Sequence, residues 1–121
     1  MSIAEEKKPI GAAYCSKELS QLLDKAGIKA HYVIQYEKGG SWYRKYTLDI
    51  ACRWLREVHN LCIEPYRTAS GYLYTISKIW TGSELYSAEY EGDDEASGQY
   101  TTYEKAVEAA IRYCIENLIK H

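Results

Sequence analysis

Three stretches of the chain repeat apolar residues at helical spacing. In the first, Leu19, Leu22, Leu23 and Ala26 recur at i, i+3, i+4 and i+7. Ser16 offers an oxygen to the first free amides, Glu18 sits in the first turn, and Gly27 can take the left-handed conformation that ends a helix. In the second, Leu48, Ala51, Cys52, Leu55 and Val58 form the stripe, with Trp54 beside it. Thr47 is its candidate cap, Asp49 favours the positive end of its dipole, and Asn60 suits its C-terminal cap. The third stripe is the broadest: Ala106, Val107, Ala110, Ile111, Cys114, Ile115, Leu118 and Ile119. Thr101 with Glu104 fits a reciprocal capping box at its start.

Between these stretches the pattern changes to strand periodicity. Residues 30–36 place Tyr32, Ile34 and Tyr36 on one face. Lys38-Gly39-Gly40-Ser41 is a turn signal, and Trp42-Tyr43-Arg44-Lys45-Tyr46 returns as the second strand of a hairpin. Leu61–Glu64 predicts a short strand that stops near Pro65, and 67–71 predicts a turn. From Tyr72 to Trp80 runs the longest strand, with Tyr72, Tyr74, Ile76 and Trp80 expected on one face and Leu73, Thr75 and Ile79 on the other. Thr81-Gly82-Ser83 then turns the chain into a weaker strand from Leu85 to Tyr90, and 91–98 predicts an exposed loop. Residues 1–13 are expected to form a flexible N-terminal arm, and 14–121 a single domain. The order α-β-β-α-β-β-β-α predicts an α+β fold, a two-layer sandwich with an antiparallel sheet and helices packed on one face.

The composition agrees with one globular domain. Of 121 residues 46% are hydrophobic and 26% charged, which excludes a disordered tail, a collagen-like repeat and a bare coiled coil. No apolar run approaches the roughly 20 residues of a membrane-spanning helix. The first residues carry no apolar stretch of signal-peptide length, so a cytoplasmic protein that does not engage membrane is expected. Cys15, Cys52, Cys62 and Cys114 lack C-x-x-C spacing, so they are expected as reduced thiols in or near the core rather than zinc ligands. The chain has 13 Tyr, 3 Trp and no Phe. Tyrosine suits half-buried sheet faces, and it is also favoured at binding surfaces.

Two resemblances bear on function. The segments Trp54-Leu55-Arg56-Glu57-Val58-His59-Asn60-Leu61-Cys62-Ile63-Glu64 and Tyr103-Glu104-Lys105-Ala106-Val107-Glu108-Ala109-Ala110-Ile111 are similar to parts of small uncharacterised proteins of gut bacteria and their phages or mobile elements. That resemblance spans the last two-thirds of the chain and implies an accessory context; the group has no assigned activity and so assigns no functional residue. Residues 47–119 also resemble double-stranded-RNA-binding domains in their α-β-β-β-α order. Such domains set lysines at the start of the last helix, on the phosphates. Here that position reads Thr101-Thr102-Tyr103-Glu104-Lys105, with a single lysine. From Glu84 to Glu108 there are eight acidic residues against one basic, a net of −7, which would repel phosphate.

Two groups of residues are candidates for binding. Trp42, Tyr43, Arg44 and Lys45, with Arg53 and Arg56 on the following helix, mix rings that stack on bases with cations that pair with phosphates. Between Lys29 and Arg67 the net charge is +3. Such a site requires Arg44 and Lys45 to share a face with Arg53 or Arg56, beside exposed rings. The second group, Tyr90, Asp93, Asp94, Glu95 and Tyr100, would present an acidic, tyrosine-bearing surface to a protein partner. Three adjacent acids do not supply the alternating oxygens of a calcium loop, so no metal is expected. His31, His59 and His121 stand in no nucleophile or metal motif, and no Gly-rich phosphate loop occurs. No catalytic residue and no cofactor are assigned. The expectation is a small non-catalytic binding or accessory protein acting through a protein partner, with weak nucleic-acid binding as the alternative.

Overall fold

The computed structural model describes residues 12–88, 92–94 and 98–119. Helix α1 (Lys17–Lys25) begins where expected, with the Ser16 hydroxyl accepting the Leu19 N–H at 3.3 Å. Leu19 and Leu23 are fully buried; removing each side chain from water is worth about 1.5–3 kcal/mol. Strands β1 (Val33–Tyr36) and β2 (Trp42–Lys45) then form an antiparallel hairpin. Helix α2 (Leu48–His59) is capped by Thr47, whose hydroxyl accepts the Ile50 N–H at 3.1 Å. It ends on Asn60 at φ 57°, a left-handed position that asparagine tolerates better than other side chains. Of the arm expected over 1–13, residues 1–11 lie outside the described ones. Ala13 already belongs to the folded part, because its carbonyl accepts the Leu48 N–H at 2.9 Å.

A second antiparallel sheet has the order β3-β4-β5, with β3 at Leu61–Arg67, β4 at Tyr72–Lys78 and β5 at Glu84–Ser87. The α+β class and the element order are those expected, with the five strands shared between two sheets. Strand β3 does not stop near Pro65 but runs through it to Arg67. It is an edge strand, where a residue without an N–H can sit with no ladder bond lost. Strand β4 ends at Lys78, whose carbonyl accepts the Gly82 N–H in a closing turn. Trp80 therefore does not join Tyr74 and Ile76 on the buried face. It is 82% exposed, and its indole N–H donates to Asn60 Oδ1 at 3.0 Å.

Helix α3 (Tyr103–Tyr113) runs on into a π-helical turn, Cys114–Leu118. Its cap is Thr102, one residue later than the sequence suggests: the Thr102 hydroxyl accepts the Lys105 N–H at 3.1 Å, while Thr101 is held elsewhere. Ala106, Val107, Ala110, Ile111, Cys114 and Ile115 are buried from α3 and the turn after it. They pack on β3 and β4 and meet α1 and α2. All four cysteines are free thiols, Cys15 and Cys114 buried, Cys52 and Cys62 half-buried.

A carboxylate joins the first and last helices. Glu108 on α3 accepts the Ser16 N–H at 3.1 Å and the Ser16 O–H at 2.8 Å. The residue that caps α1 is thus itself fixed from α3. Glu108→Ala leaves both donors without that acceptor and is expected to lower stability by about 1–3 kcal/mol in denaturant melts. Glu104→Ala, on an exposed position of the same helix, is expected to change it by less than about 0.5 kcal/mol.

Candidate binding surface on the hairpin

The hairpin turns through Gly39 and Gly40, at φ 96° and 92°, a region that only glycine enters without steric cost. Its register pairs Tyr36 with Trp42, Gln35 with Tyr43, Ile34 with Arg44 and Val33 with Lys45. Side chains alternate across the ribbon, so Tyr32, Ile34 and Tyr36 share a face with Trp42, Arg44 and Tyr46. Four of these are exposed apolar groups: Tyr36 at 71%, Trp42 at 50%, and Tyr32 and Ile34 near 40%. The face ends at Tyr46, which is buried and meets Tyr32 edge-on with ring centroids 5.9 Å apart.

Arg44 lies among these rings, its guanidinium carbon 5.3 Å from the Tyr32 centroid and 5.4 Å from that of Trp42. It is also held by an ion pair, Nη1 to Asp24 Oδ2 at 3.0 Å. The other oxygen of Asp24 accepts the Tyr46 hydroxyl at 2.8 Å. Burial, reinforced by that bond, raises the Tyr46 hydroxyl well above the ordinary tyrosine pKa, so it remains a donor. On the opposite face, Lys45 reaches Gln35 Oε1 at 3.4 Å and lies 4.7 Å from the Tyr14 ring. Lys17 of α1 pairs with Glu37 at 2.8 Å and stands 6.0 Å from the Tyr43 ring.

The residues named for nucleic acid are therefore spread over several surfaces. Trp42 and Arg44 share one face; Tyr43 and Lys45 belong to the other. Arg53 pairs with Glu57 at 2.6 Å on the exposed side of α2, and Arg56 is exposed on the same helix. Arg44 and Arg53 open onto neighbouring depressions that share only Lys29 and Ala30, one lined also by Asp24 and the other by Glu57. Each of these two arginines thus brings a carboxylate with it.

The acidic candidates divide differently. Tyr90 and Glu95 lie outside the described residues. Asp93 accepts the Thr101 N–H at 2.8 Å, the Thr101 hydroxyl at 2.9 Å and Lys105 Nζ at 2.9 Å. Lys105 above all, then Thr101, hold its carboxyl well below the usual aspartate range. The lysine at the start of the last helix is thereby engaged with a carboxylate. The Asp94 N–H donates to the Gln99 carbonyl at 3.0 Å. Tyr100 is half-buried, bridged to Tyr72 and 6.2 Å from the Tyr74 ring. These residues tie a loop to α3 and to β4.

Burial pushes the thiols of Cys15 and Cys114 up to about 12 and that of Cys52 to about 11, away from the nucleophilic thiolate. His59 packs edge-on against Trp54 at 4.6 Å. Among the described residues no group of three or more His, Cys, Asp or Glu could hold a metal ion, and no helix is long and apolar enough to cross a membrane. The sequence pattern places Tyr32, Ile34 and Tyr36 on one face but does not mark them as a site; what it lacks is that no described residue covers them. Asp24 went unnoticed as the anchor, because a single aspartate near the end of a helix carries no signal of a partner 20 residues away.

Two outcomes test these assignments. Asp24→Ala removes the acceptor of Tyr46 and the counter-ion of Arg44, and is expected to cost about 1–3 kcal/mol in denaturant melts. Backbone amide shifts should move in the hairpin and stay fixed in β3, β4 and β5. For Asp93 the lowered pKa fixes the sign of the pH effect. Its tie to Thr101 and Lys105 is complete above the ordinary aspartate value of about 3.9 and weakens as pH falls below that toward its own lower pKa. The Thr101 amide resonance should report that low-pH change, and Asp93→Asn should abolish it. No protein-family model, no curated protein and no solved structure matches the chain, so the functional reading stands on this geometry.

Proposed function

We propose that the chain is a small, non-catalytic, cytoplasmic binding domain whose hairpin face docks an apolar segment of a protein partner. One observation carries the reading: Tyr32, Ile34, Tyr36 and Trp42 stand exposed together on one face of a two-stranded ribbon. Soluble chains rarely leave such groups contiguous unless they meet something, and Tyr and Trp dominate the energetic centres of protein interfaces. The ribbon is held in place before any partner arrives, since Asp24 fixes Arg44 and Tyr46 from α1. A surface fixed in advance loses less conformational freedom on association. An accessory role of the kind implied by the resemblance to small gut-bacterial and phage proteins agrees with a module of this size. Nucleic acid is the weaker reading, because Arg44 and Arg53 are each paired with a carboxylate and Lys45 points to the other face.

The test is capture of partners from nuclease-treated extract, followed by titration of the purified chain with the purified captured protein. Trp42→Ala and Tyr36→Ala are expected to weaken that complex at least about tenfold, and Trp80→Ala to leave it unchanged. Burial of the apolar face should give a negative heat-capacity change and a nearly flat salt dependence. The opposite result would come from fluorescence anisotropy with labelled RNA and DNA. Binding whose log–log salt slope is about −2 to −3, lost in Arg44→Ala, would replace the protein partner with nucleic acid.

A further inference from the structure

The hairpin has a second unmatched feature besides its face, namely the outer edge of β1. The Glu37 N–H donates to the Ser41 carbonyl at 2.8 Å, which makes 37 and 41 a directly bonded pair. Bonded pairs alternate along an antiparallel ladder, so Gln35 bonds Tyr43 and Val33 bonds Lys45, while the N–H and C=O groups of Ile34 and Tyr36 point away from β2, the Tyr36 carbonyl accepting only the exposed Gln35 side-chain amide at 3.1 Å. The same alternation shows on the other side of the ribbon. There Tyr46 turns outward, its N–H toward Ser20 Oγ at 3.4 Å and its carbonyl toward the Cys15 N–H at 2.9 Å. That end of the β2 edge is covered; among the described residues the β1 edge pairs with no further strand.

The remaining sheet edges carry recognised defences against pairing. Strand β3 contains Pro65, and the β4–β5 ladder is broken by a register shift at Ile76/Ser77. Strand β1 reads Val33-Ile34-Gln35-Tyr36, with no proline, no charge and no bulge. An edge of that composition is a template for another strand.

We propose that this edge pairs with the same edge of a second copy of the chain, antiparallel, about a two-fold axis through Ile34. The register follows from the residues. Directly opposed side chains lie on the same face, so the axis must pass through a residue for the apolar faces of both copies to coincide. With Ile34 on the axis, its outward N–H and C=O exchange bonds with Ile34 of the second copy. Tyr36 then opposes Tyr32 of the second copy on the exposed face, an aromatic cross-strand pair. On the other face His31 opposes Glu37 of the second copy, an imidazole N–H against a carboxylate that also pairs with Lys17 and Ser41 of its own copy. No two like charges face each other between positions 30 and 38. The product is a four-stranded sheet whose two aromatic faces run together, doubling the surface proposed above. The pairing uses the edge alone and does not depend on what the face binds.

The test is analytical ultracentrifugation of the whole chain between roughly 1 μM and 1 mM, the range in which weak to moderate dimers report. A concentration-dependent monomer–dimer equilibrium is expected. Ile34→Pro deletes an N–H that the hairpin itself does not use, so it should leave the far-ultraviolet circular dichroism unchanged and weaken the dimer at least about tenfold. Ile34→Lys, which sets two like charges together on the axis, should do the same without touching the backbone. Trp42→Ala, on β2, should leave the dimer intact while weakening partner binding at least about tenfold, which separates failure of this pairing from failure of the face. A wild-type chain that stays monomeric at the highest concentration overturns the proposal. So does a dimer that survives both Ile34 substitutions.

Discussion

Tyr46 is the point on which the hairpin depends. Its N–H and C=O are bonded to Ser20 and Cys15, its hydroxyl to Asp24, and its ring rests against Tyr32. A two-stranded ribbon in water is marginal by itself. This one is part of the fold because one buried tyrosine at its end connects it, through backbone and side chain alike, to a helix that is already packed. That helix is anchored in turn from the far end of the chain, where Glu108 holds Ser16. The exposed aromatic face therefore rides on a run of contacts from α3 to α1 to Tyr46.

This arrangement explains why the strands separate into two sheets. The three-stranded sheet has α3 across it and receives α2 as well, so its inward residues Tyr74 and Ile76 are fully enclosed. Among the described elements the hairpin is served mainly by α1 along β2, and one short helix cannot cover both faces of a ribbon. The covered side is the edge of β2. Among the described residues, what remains open is the apolar face and the edge of β1. Both features follow from a single shortage of covering elements, and both lie on the part of the chain least buried by the core.

Much of this was legible in the sequence, and the physical reason is locality. Helix starts at Ser16 and Thr47, the Asn60 terminus and the Gly39-Gly40 turn depend on residues within a few positions of one another. The errors have the same origin. Thr101 and Thr102 are equally good caps to a local reading, and only Asp93, which takes Thr101, decides between them. Pro65 ends a strand in general but not an edge strand, and edge status depends on a sheet order that no single strand encodes. Trp80 looked like the last inward residue of β4 because alternation counts onward past the point where the turn begins. At the candidate site, periodicity gave the shared face of Tyr32, Ile34 and Tyr36. Whether that face would be buried depended on where α1 settled.

Charge shows the same limit most clearly. Summed along the chain, residues 29–67 are a basic segment and 84–108 an acidic one. In the fold neither sum describes a surface. Arg44 is paired with Asp24 and flanked by Tyr32 and Trp42, Arg53 is paired with Glu57, and Asp93 with Lys105. Exposed pairs of this kind add little stability, but they remove the long-range field that would draw a polyanion or a polycation. With Arg44, Arg53 and Asp93 each paired, the exposed apolar groups of the hairpin are its rings together with Val33 and Ile34. On the reading proposed above, association driven by such groups is short-ranged and shape-dependent, and so suits a folded or extended protein surface better than a phosphate backbone.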